Sequence, residues 1–243
     1  MKKEKNSFGN NISFAQGETW RFNNEVAKNF DQHVVSSIPH YNALQKYIAN
    51  ISEWFLTENS TIYDIGCSTS NTSYEISKKN EKIKKLNFLC IDSSKQMLEI
   101  SKKKLKLLKH NYKFLKKDIN KIKTFNKHDL CLCVLLLPFL KNQKKLPLLK
   151  KIQKSLNSGG ALLIVDKIHS DLSISENIFN QIYHDFKLNF FSKTQIWNKA
   201  KSLRSSMKLN TNSQNIELFK KSGFKRYEVF FRWFNFCGYI VFK

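Results

Sequence analysis

The chain has 243 residues, of which 41% are hydrophobic and 25% are charged. This composition is typical of one moderately sized globular domain and excludes a disulfide-stapled miniprotein or a disordered tail. No stretch approaches the roughly 18 apolar residues that a membrane helix needs, and no apolar segment follows the basic N-terminus as in a secretory signal. We therefore expect a cytoplasmic protein without a membrane span.

The formal net charge is +23, yet only four of the 42 cationic residues are arginine. Clustered cations bind phosphate backbones, but phosphate recognition commonly exploits the guanidinium fork of arginine. The lysines are spread along the chain and recur at helix-like spacings beside Leu and Ile, which favours solvated helix faces. We therefore do not expect direct tRNA binding.

The five cysteines match neither a disulfide framework nor a zinc site in their spacing. Cys131 and Cys133 stand two residues apart in an apolar run, so they share one face of a predicted strand. We interpret them as core residues and predict no metal site.

In chain order, residues 1–19 are predicted to be a flexible basic segment and residues 20–56 a helical cap, interrupted at Pro39. Short β-rich runs then alternate with helical patterns. The predicted strands are 61–65, 86–91, 112–115, 130–136, 161–165, 227–231 and 236–242. The predicted helices are 72–79, 94–108 and 143–156, with an aromatic-rich helical insertion at 168–210.

Alternating strands and helices predict βαβ units and therefore a parallel sheet with helices on both faces. The last two strands lack an intervening helix and fit an antiparallel pair at one edge of the sheet. We expect one α/β domain over residues 1–243, with seven mostly parallel strands.

Polar residues follow three successive strands of this predicted sheet, where open α/β folds bind ligands. The end of the first strand carries Asp64 and is followed by Gly66, Cys67 and Ser68. The second strand is followed by Asp92-Ser93, and the third by Asp118-Ile119. An acid after the second strand is placed to accept both ribose hydroxyls, and one after the third to meet an adenine amino group. Each Asp has the alternative role of capping the next helix, but three in succession favour a nucleoside site.

The first of these turns differs from a dinucleotide-binding turn. It reads G-C-S-T-S, with Ser68 and Ser70 where a pyrophosphate would need glycines for close backbone approach. A ligand with an amino-acid end in place of pyrophosphate has no such requirement. S-adenosylmethionine (SAM) fits this pattern, with its methionyl end at the first turn and its ribose at Asp92.

From about residue 20 to the C-terminus, the chain resembles the carboxy-S-adenosyl-L-methionine (carboxy-SAM) synthases in several segments. Some of these segments lie outside the generic fold motif. The segments are F-x-x-x-V-A-x-x-F (22–30), S-I-P-H-Y (37–41), D-I-G-C-S (64–68), L-N-x-G-G-A-L (156–162), H-D-F-K (184–187) and W-F-N-F (233–236). The resemblance implies a Rossmann-like class I methyltransferase fold.

What the resemblance implies about function is specific. Members of this family bind SAM and prephenate, release phenylpyruvate and leave the carboxyl group on the sulfonium methyl carbon through an ylide. The product, carboxy-SAM, serves wobble-uridine modification in tRNA. The family's ligand contacts match Tyr41, Gly66 to Ser68, Asp92, Ser93, Asp118 and Ile119.

Two positions depart from the family pattern. Val134 stands where the family has an asparagine on the fourth strand, and Ala200 replaces an arginine that reaches across a dimer interface to the added carboxylate. Losing that guanidinium removes a charge-assisted contact, for which Lys199, Lys201 or Arg204 are candidate replacements. A conventional small-molecule methyltransferase is therefore the alternative, and a non-catalytic binding protein is a third possibility.

Other candidate residues follow the fifth strand or lie in the insertion. Asp166, beside Lys167, is placed to act on substrate, and His184-Asp185 is an acid/base candidate that fits a plain polar contact equally well. The aromatic-rich segment 179–197 has apolar surface that is rarely left in water. We expect it to be the contact of a homodimer.

Overall fold

The computed structural model describes residues 24–204 and 206–243. The predicted flexible segment 1–19 and the first four residues of the predicted cap lie outside this part. Within it, seven strands form one sheet: β1 (Thr61–Ile65), β2 (Asn87–Asp92), β3 (Asn111–Lys116), β4 (His128–Val134), β5 (Leu156–Lys167), β6 (Arg226–Trp233) and β7 (Phe236–Phe242).

Eight α-helices lie in the same described ranges: α1 (Asn24–Ser37), α2 (Tyr41–Ser52), α3 (Asn71–Lys79), α4 (Lys95–Leu105), α5 (Asn142–Ser155), α6 (Ser173–Leu188), α7 (Lys193–Leu203) and α8 (Asn212–Lys221). Helices α1 and α2 form the predicted cap, and α6 and α7 the predicted insertion. None of the helices in these ranges has the length and apolar character needed to span a membrane.

The strand order is β3-β2-β1-β4-β5-β7-β6. Strands β1 to β5 pair in parallel, and β7 pairs antiparallel with both β5 and β6. This confirms the predicted mostly parallel sheet with an antiparallel edge pair. The order reverses between β1 and β4, so ligand binding is expected beyond the carboxyl ends of these strands.

Alternate residues of β4 supply the cores on the two faces of the sheet. Leu130 and Leu132 pack with residues of α2, α3 and α4, whereas Cys131 and Cys133 pack with residues of α5 and α8. Both cysteines are fully buried, which confirms them as core residues. The helices therefore cover both faces, as predicted.

Two elements differ from the sequence prediction. Strand β5 begins at Leu156 rather than near residue 161, because the chain passes so close to β4 that a Cβ on Gly160 would lie 2.6 Å from the Asp129 carbonyl oxygen. Gly160, which has no side chain, permits this approach. Helix α8 was not predicted, although Thr211 and Gln214 form a capping box at its start.

Candidate active site

A cavity of about 510 Å³ opens at the carboxyl ends of the central strands. Its wall includes all nine residues predicted to bind the cofactor: Tyr41, Asp64, Gly66, Cys67, Ser68, Asp92, Ser93, Asp118 and Ile119. The volume is within the range of about 300–1,000 Å³ typical of small-molecule sites. The structure thus brings the predicted residues together, and their contacts with a ligand stay a prediction.

The loop after β1 depends on Gly66. This residue has φ +71°, a left-handed conformation that favours glycine. A Cβ there would lie 2.8 Å from Leu136 Cδ1, and Leu136 also lines the cavity. The Gly66 and Cys67 amides both donate to the Ile91 carbonyl oxygen, at 2.8 and 3.0 Å. These bonds hold the loop against the end of β2, where the ribose-binding acid is predicted.

That acid, Asp92, connects the ends of β1 and β2. Its Oδ2 accepts a hydrogen bond from the Ser68 amide at 2.9 Å, and its Oδ1 accepts one from the Ser94 amide at 2.8 Å. A carboxylate has about four acceptor positions, so each oxygen retains capacity for one hydroxyl of a ribose. This arrangement fits the nucleoside end of SAM.

Asp118 caps a 3₁₀ turn, Ile119–Lys121, and its Oδ1 accepts bonds from the Asn120 amide and side chain, each 2.9 Å long. The capping role that the sequence left open is therefore present here. The residue also lines the cavity, so an adenine contact stays a prediction.

Asp64 lies buried near the end of β1, just before this loop. Its Oδ2 accepts a hydrogen bond of 2.6 Å from the Ser73 hydroxyl, and burial raises the pKa of its carboxyl to about 7. The charge of Asp92 acts in the same direction. A cationic ligand group near this pair would favour the ionised form, as the ammonium and sulfonium groups of SAM would.

Asp31 links helix α1 to the loop after β1 and to α4. This residue was not identified from the sequence. Its Oδ1 accepts bonds from Thr69 Oγ1 at 2.6 Å and from Asn71 Nδ2 at 3.0 Å. Its Oδ2 pairs with Lys104 Nζ at 2.7 Å. The Asn71 amide also donates to the Tyr41 hydroxyl. A polar network thus joins the cap to the loop after β1, and the only sequence signal was an acid beside the Phe30 motif residue.

The predicted carboxylate-binding cations occupy different positions. Lys199 lines the cavity and donates to His33 and Ser37, the latter at 2.8 Å. Lys201 and Arg204 are exposed and do not line it; the Arg204 guanidinium lies 5.3 Å from the Trp197 ring centroid. Among these three candidates, the structure therefore brings Lys199 to the site.

Strand alternation separates Asp166 from Lys167. Lys167 lines the cavity, whereas Asp166 is buried outside its lining, where the charge of Lys145 acts on it. The structure therefore does not bring Asp166 to the cavity wall, because successive strand residues point to opposite faces. Lys167 is the residue of this pair that reaches the site.

The acid/base candidates of the insertion also lie outside the cavity lining. His184 Nδ1 and Asp185 Oδ1 are 3.7 Å apart and both side chains contact solvent, which supports the polar-contact interpretation. Of the two departures from the family pattern, Val134 lines the cavity and Ala200 is exposed outside it.

Comparisons with known proteins agree with this geometry. A family model described as a methyltransferase domain matches residues 56–228. The chain is 33% identical over 226 residues to the carboxy-S-adenosyl-L-methionine synthase of Staphylococcus epidermidis, covering 92% of this chain and 97% of that protein. It is 30% identical to the enzyme of the same name from Campylobacter lari, covering 92% and 94%.

Solved structures show the same fold at low sequence identity. An O-methyltransferase family protein from Burkholderia thailandensis superposes with a TM-score of 0.65 and 9% identity, covering 91% of this chain. The present chain spans about 60% of the length of that protein.

Fold, cavity and matched domain together define a SAM-dependent transferase of the class I methyltransferase superfamily. Within that superfamily, identities of 30–33% over nearly the whole chain place the protein in the carboxy-S-adenosyl-L-methionine synthase family.

Proposed function

We propose that this protein is a cytoplasmic enzyme that converts SAM and prephenate into carboxy-SAM and phenylpyruvate, supplying the carboxymethyl donor for wobble-uridine modification in tRNA. For the atoms of this reaction to balance, prephenate must lose its ring carboxyl group and its hydroxyl group. The carboxyl carbon bonds to the SAM methyl carbon, and one methyl proton leaves with the hydroxyl as water. No external oxidant or reductant is needed.

The extent of the cavity supports this proposal. The same cavity is lined by Asp92 and Asp118, at the predicted nucleoside end, by Val134 and by Lys167 at the end of β5. A SAM molecule with its ribose at Asp92 and its methionyl end at Gly66 leaves the β5 end for a second substrate. The cationic side chains at that end suit an acid such as prephenate.

A conventional methyltransferase is the second candidate, and the position of Val134 favours it. This apolar side chain lines the cavity where the family has an amide, and Ala200 brings no guanidinium. An apolar wall fits a neutral methyl acceptor as well as it fits the ring of prephenate.

Mass spectrometry of the reaction separates the two candidates. With SAM and prephenate together, we expect phenylpyruvate and a SAM derivative heavier by one carbon dioxide. An Asp92→Ala variant should lose both products, because the predicted ribose bonds to a charged acceptor contribute about 1.5–3 kcal/mol. A preparation that binds SAM but yields no carboxylated product would contradict the proposal, and S-adenosylhomocysteine formed with an added acceptor would establish the methyltransferase.

We further propose that the enzyme acts as a homodimer through the insertion. Leu172, Ile174, Ile178 and Trp197 are more than half exposed on or beside α6 and α7. Apolar side chains grouped on one insertion favour a protein contact, and a second copy would bring its own insertion to the same face.

A further inference from the structure

Three lysines from different elements lie near the β5 end of the cavity, and two of them, Lys167 and Lys199, line it. The Lys167 ammonium, from β5, and the Lys187 ammonium, from α6, each lie 4.3 Å from the centroid of the Tyr183 ring. The two nitrogens are therefore separated by no more than twice that distance. Lys199, from α7, lies 5.8 Å from the Phe191 ring centroid and joins Lys167 and Tyr183 in the cavity wall.

The three ammonium groups disfavour one another. Burial, with the charges of Lys187 and Lys167, lowers the pKa of Lys199 to about 7. Burial likewise lowers the pKa of Lys167 and of Lys187 to about 8. Among the described residues, Glu176 is the carboxylate that acts on Lys167, and its influence is smaller than that of burial or of Lys187.

Grouping like charges in a partly buried place is costly unless an anion joins them. The site remains accessible because Lys167 and Lys199 line a cavity rather than a closed core. Apolar side chains of Leu203, Met207 and Phe236 share the cavity wall. Charge and lining together suit a dicarboxylate with an apolar ring.

We propose that Lys167 and Lys199 bind the carboxylates of the second substrate, with Lys187 adding positive potential across Tyr183. The subsite is built within one protomer and takes the place of the guanidinium that is missing at Ala200. This inference rests on the proposed function, because it assigns the substrate class of that same cavity.

Direct binding tests the subsite without relying on turnover. Protein saturated with S-adenosylhomocysteine is titrated with prephenate by calorimetry, using wild type, Lys167→Gln, Lys199→Gln and Lys187→Gln. Losing a charge-assisted contact should weaken prephenate binding about 10- to 100-fold for the first two variants. Lys187→Gln should have a smaller effect. Lys167→Arg, which keeps the charge, should retain more affinity than Lys167→Gln.

Lys201→Gln is the matched control, since Lys201 is exposed on the same helix as Lys199 and does not line the cavity. Wild-type affinity for S-adenosylhomocysteine shows that a variant is folded. If Lys199→Gln fails to fold without its contacts to α1, Lys167→Gln carries the same prediction.

The outcomes distinguish this inference from the proposed function. Wild-type prephenate affinity in Lys167→Gln, or an equal loss in Lys201→Gln, overturns the subsite. A subsite that fails while wild type still makes carboxy-SAM leaves the proposed function intact. A wild-type protein that binds SAM and prephenate but makes no carboxy-SAM refutes the function and not the subsite.

Discussion

Single residues determine how closely the chain can approach a ligand, and Gly66 is the clearest case. Its positive φ and its closeness to Leu136 both oppose a side chain. Gly159 also has a positive φ, +77°, but a Cβ there would meet nothing within 4 Å. Substituting each of the two glycines therefore distinguishes the effect of backbone strain, common to both positions, from the effect of crowding, which only Gly66 would show.

We expect Gly66→Ala and Gly159→Ala each to destabilise the fold by about 1–2 kcal/mol, the cost of a left-handed conformation for an L-residue. Only Gly66→Ala should also weaken SAM binding, by tenfold or more, because its methyl group displaces Leu136 into the cavity. Urea unfolding and SAM titration of both variants measure the two effects. Equal SAM affinities in the two variants would show that the loop after β1 does not approach the ligand.

Asp64 gives a prediction about pH. Because its folded-state pKa is raised to about 7, its contribution to stability is fully present below the unfolded-state pKa of about 4 and is lost as pH rises through 7. Asp64→Asn keeps an acceptor for Ser73 but cannot ionise. We expect the variant to gain stability relative to wild type between pH 5 and pH 8, by on the order of a few kcal/mol.

Urea unfolding of the ligand-free protein at pH 5, 6.5 and 8 checks this expectation. The wild-type free energy of unfolding should fall more steeply with pH than that of Asp64→Asn. Parallel pH profiles would mean that the carboxyl group ionises in the folded state as easily as in the unfolded chain.

At the scale of elements, α1 covers the cavity, and Asp31 is the side chain that ties it to the loop after β1. Asp31 joins α1 to Thr69, Asn71 and Lys104, so its removal should loosen this attachment while leaving the sheet intact. We expect Asp31→Ala to speed SAM dissociation about 5- to 30-fold, in line with the loss of about 1–2 kcal/mol of hydrogen bonding. Gln32→Ala, an exposed neighbour on the same helix, is the control.

Stopped-flow displacement of SAM measures the dissociation rates. A rate that is the same in Asp31→Ala and Gln32→Ala would show that the cap does not control ligand release.

Elements with strong periodicity were predictable, and those depending on tertiary contacts were not. The alternation of apolar runs and helical patterns gave the parallel strands, and the three strand-end acids located the cavity. The start of β5 was missed because it depends on the pairing of Leu156 with His128 of β4, across a register shift that leaves Gly159 and Gly160 unpaired with β4. Asp31 was missed as a site residue because its partners Thr69, Asn71 and Lys104 lie far away in sequence.

For the whole molecule, the net charge of +23 opposes self-association at low ionic strength, whereas the apolar insertion favours it. Ile174 and Ile178, one helical turn apart on α6, are 68% and 51% exposed. Trp197 on α7 is 59% exposed. Burying such side chains releases about 25 cal/mol per Å² of apolar surface, and physiological salt screens repulsion between charges more than about 8 Å apart.

We therefore expect a dimeric mass by light scattering at micromolar concentration in 150 mM salt. Ile178→Glu should give a folded monomer that still binds SAM, because the side chain is half exposed and lies outside the core. Val229→Glu, which alters a 45% exposed residue on edge strand β6, is the matched control and should remain dimeric. A wild-type monomer would exclude the insertion as a subunit contact, and a monomer with Val229→Glu instead would place the interface on the β6 edge.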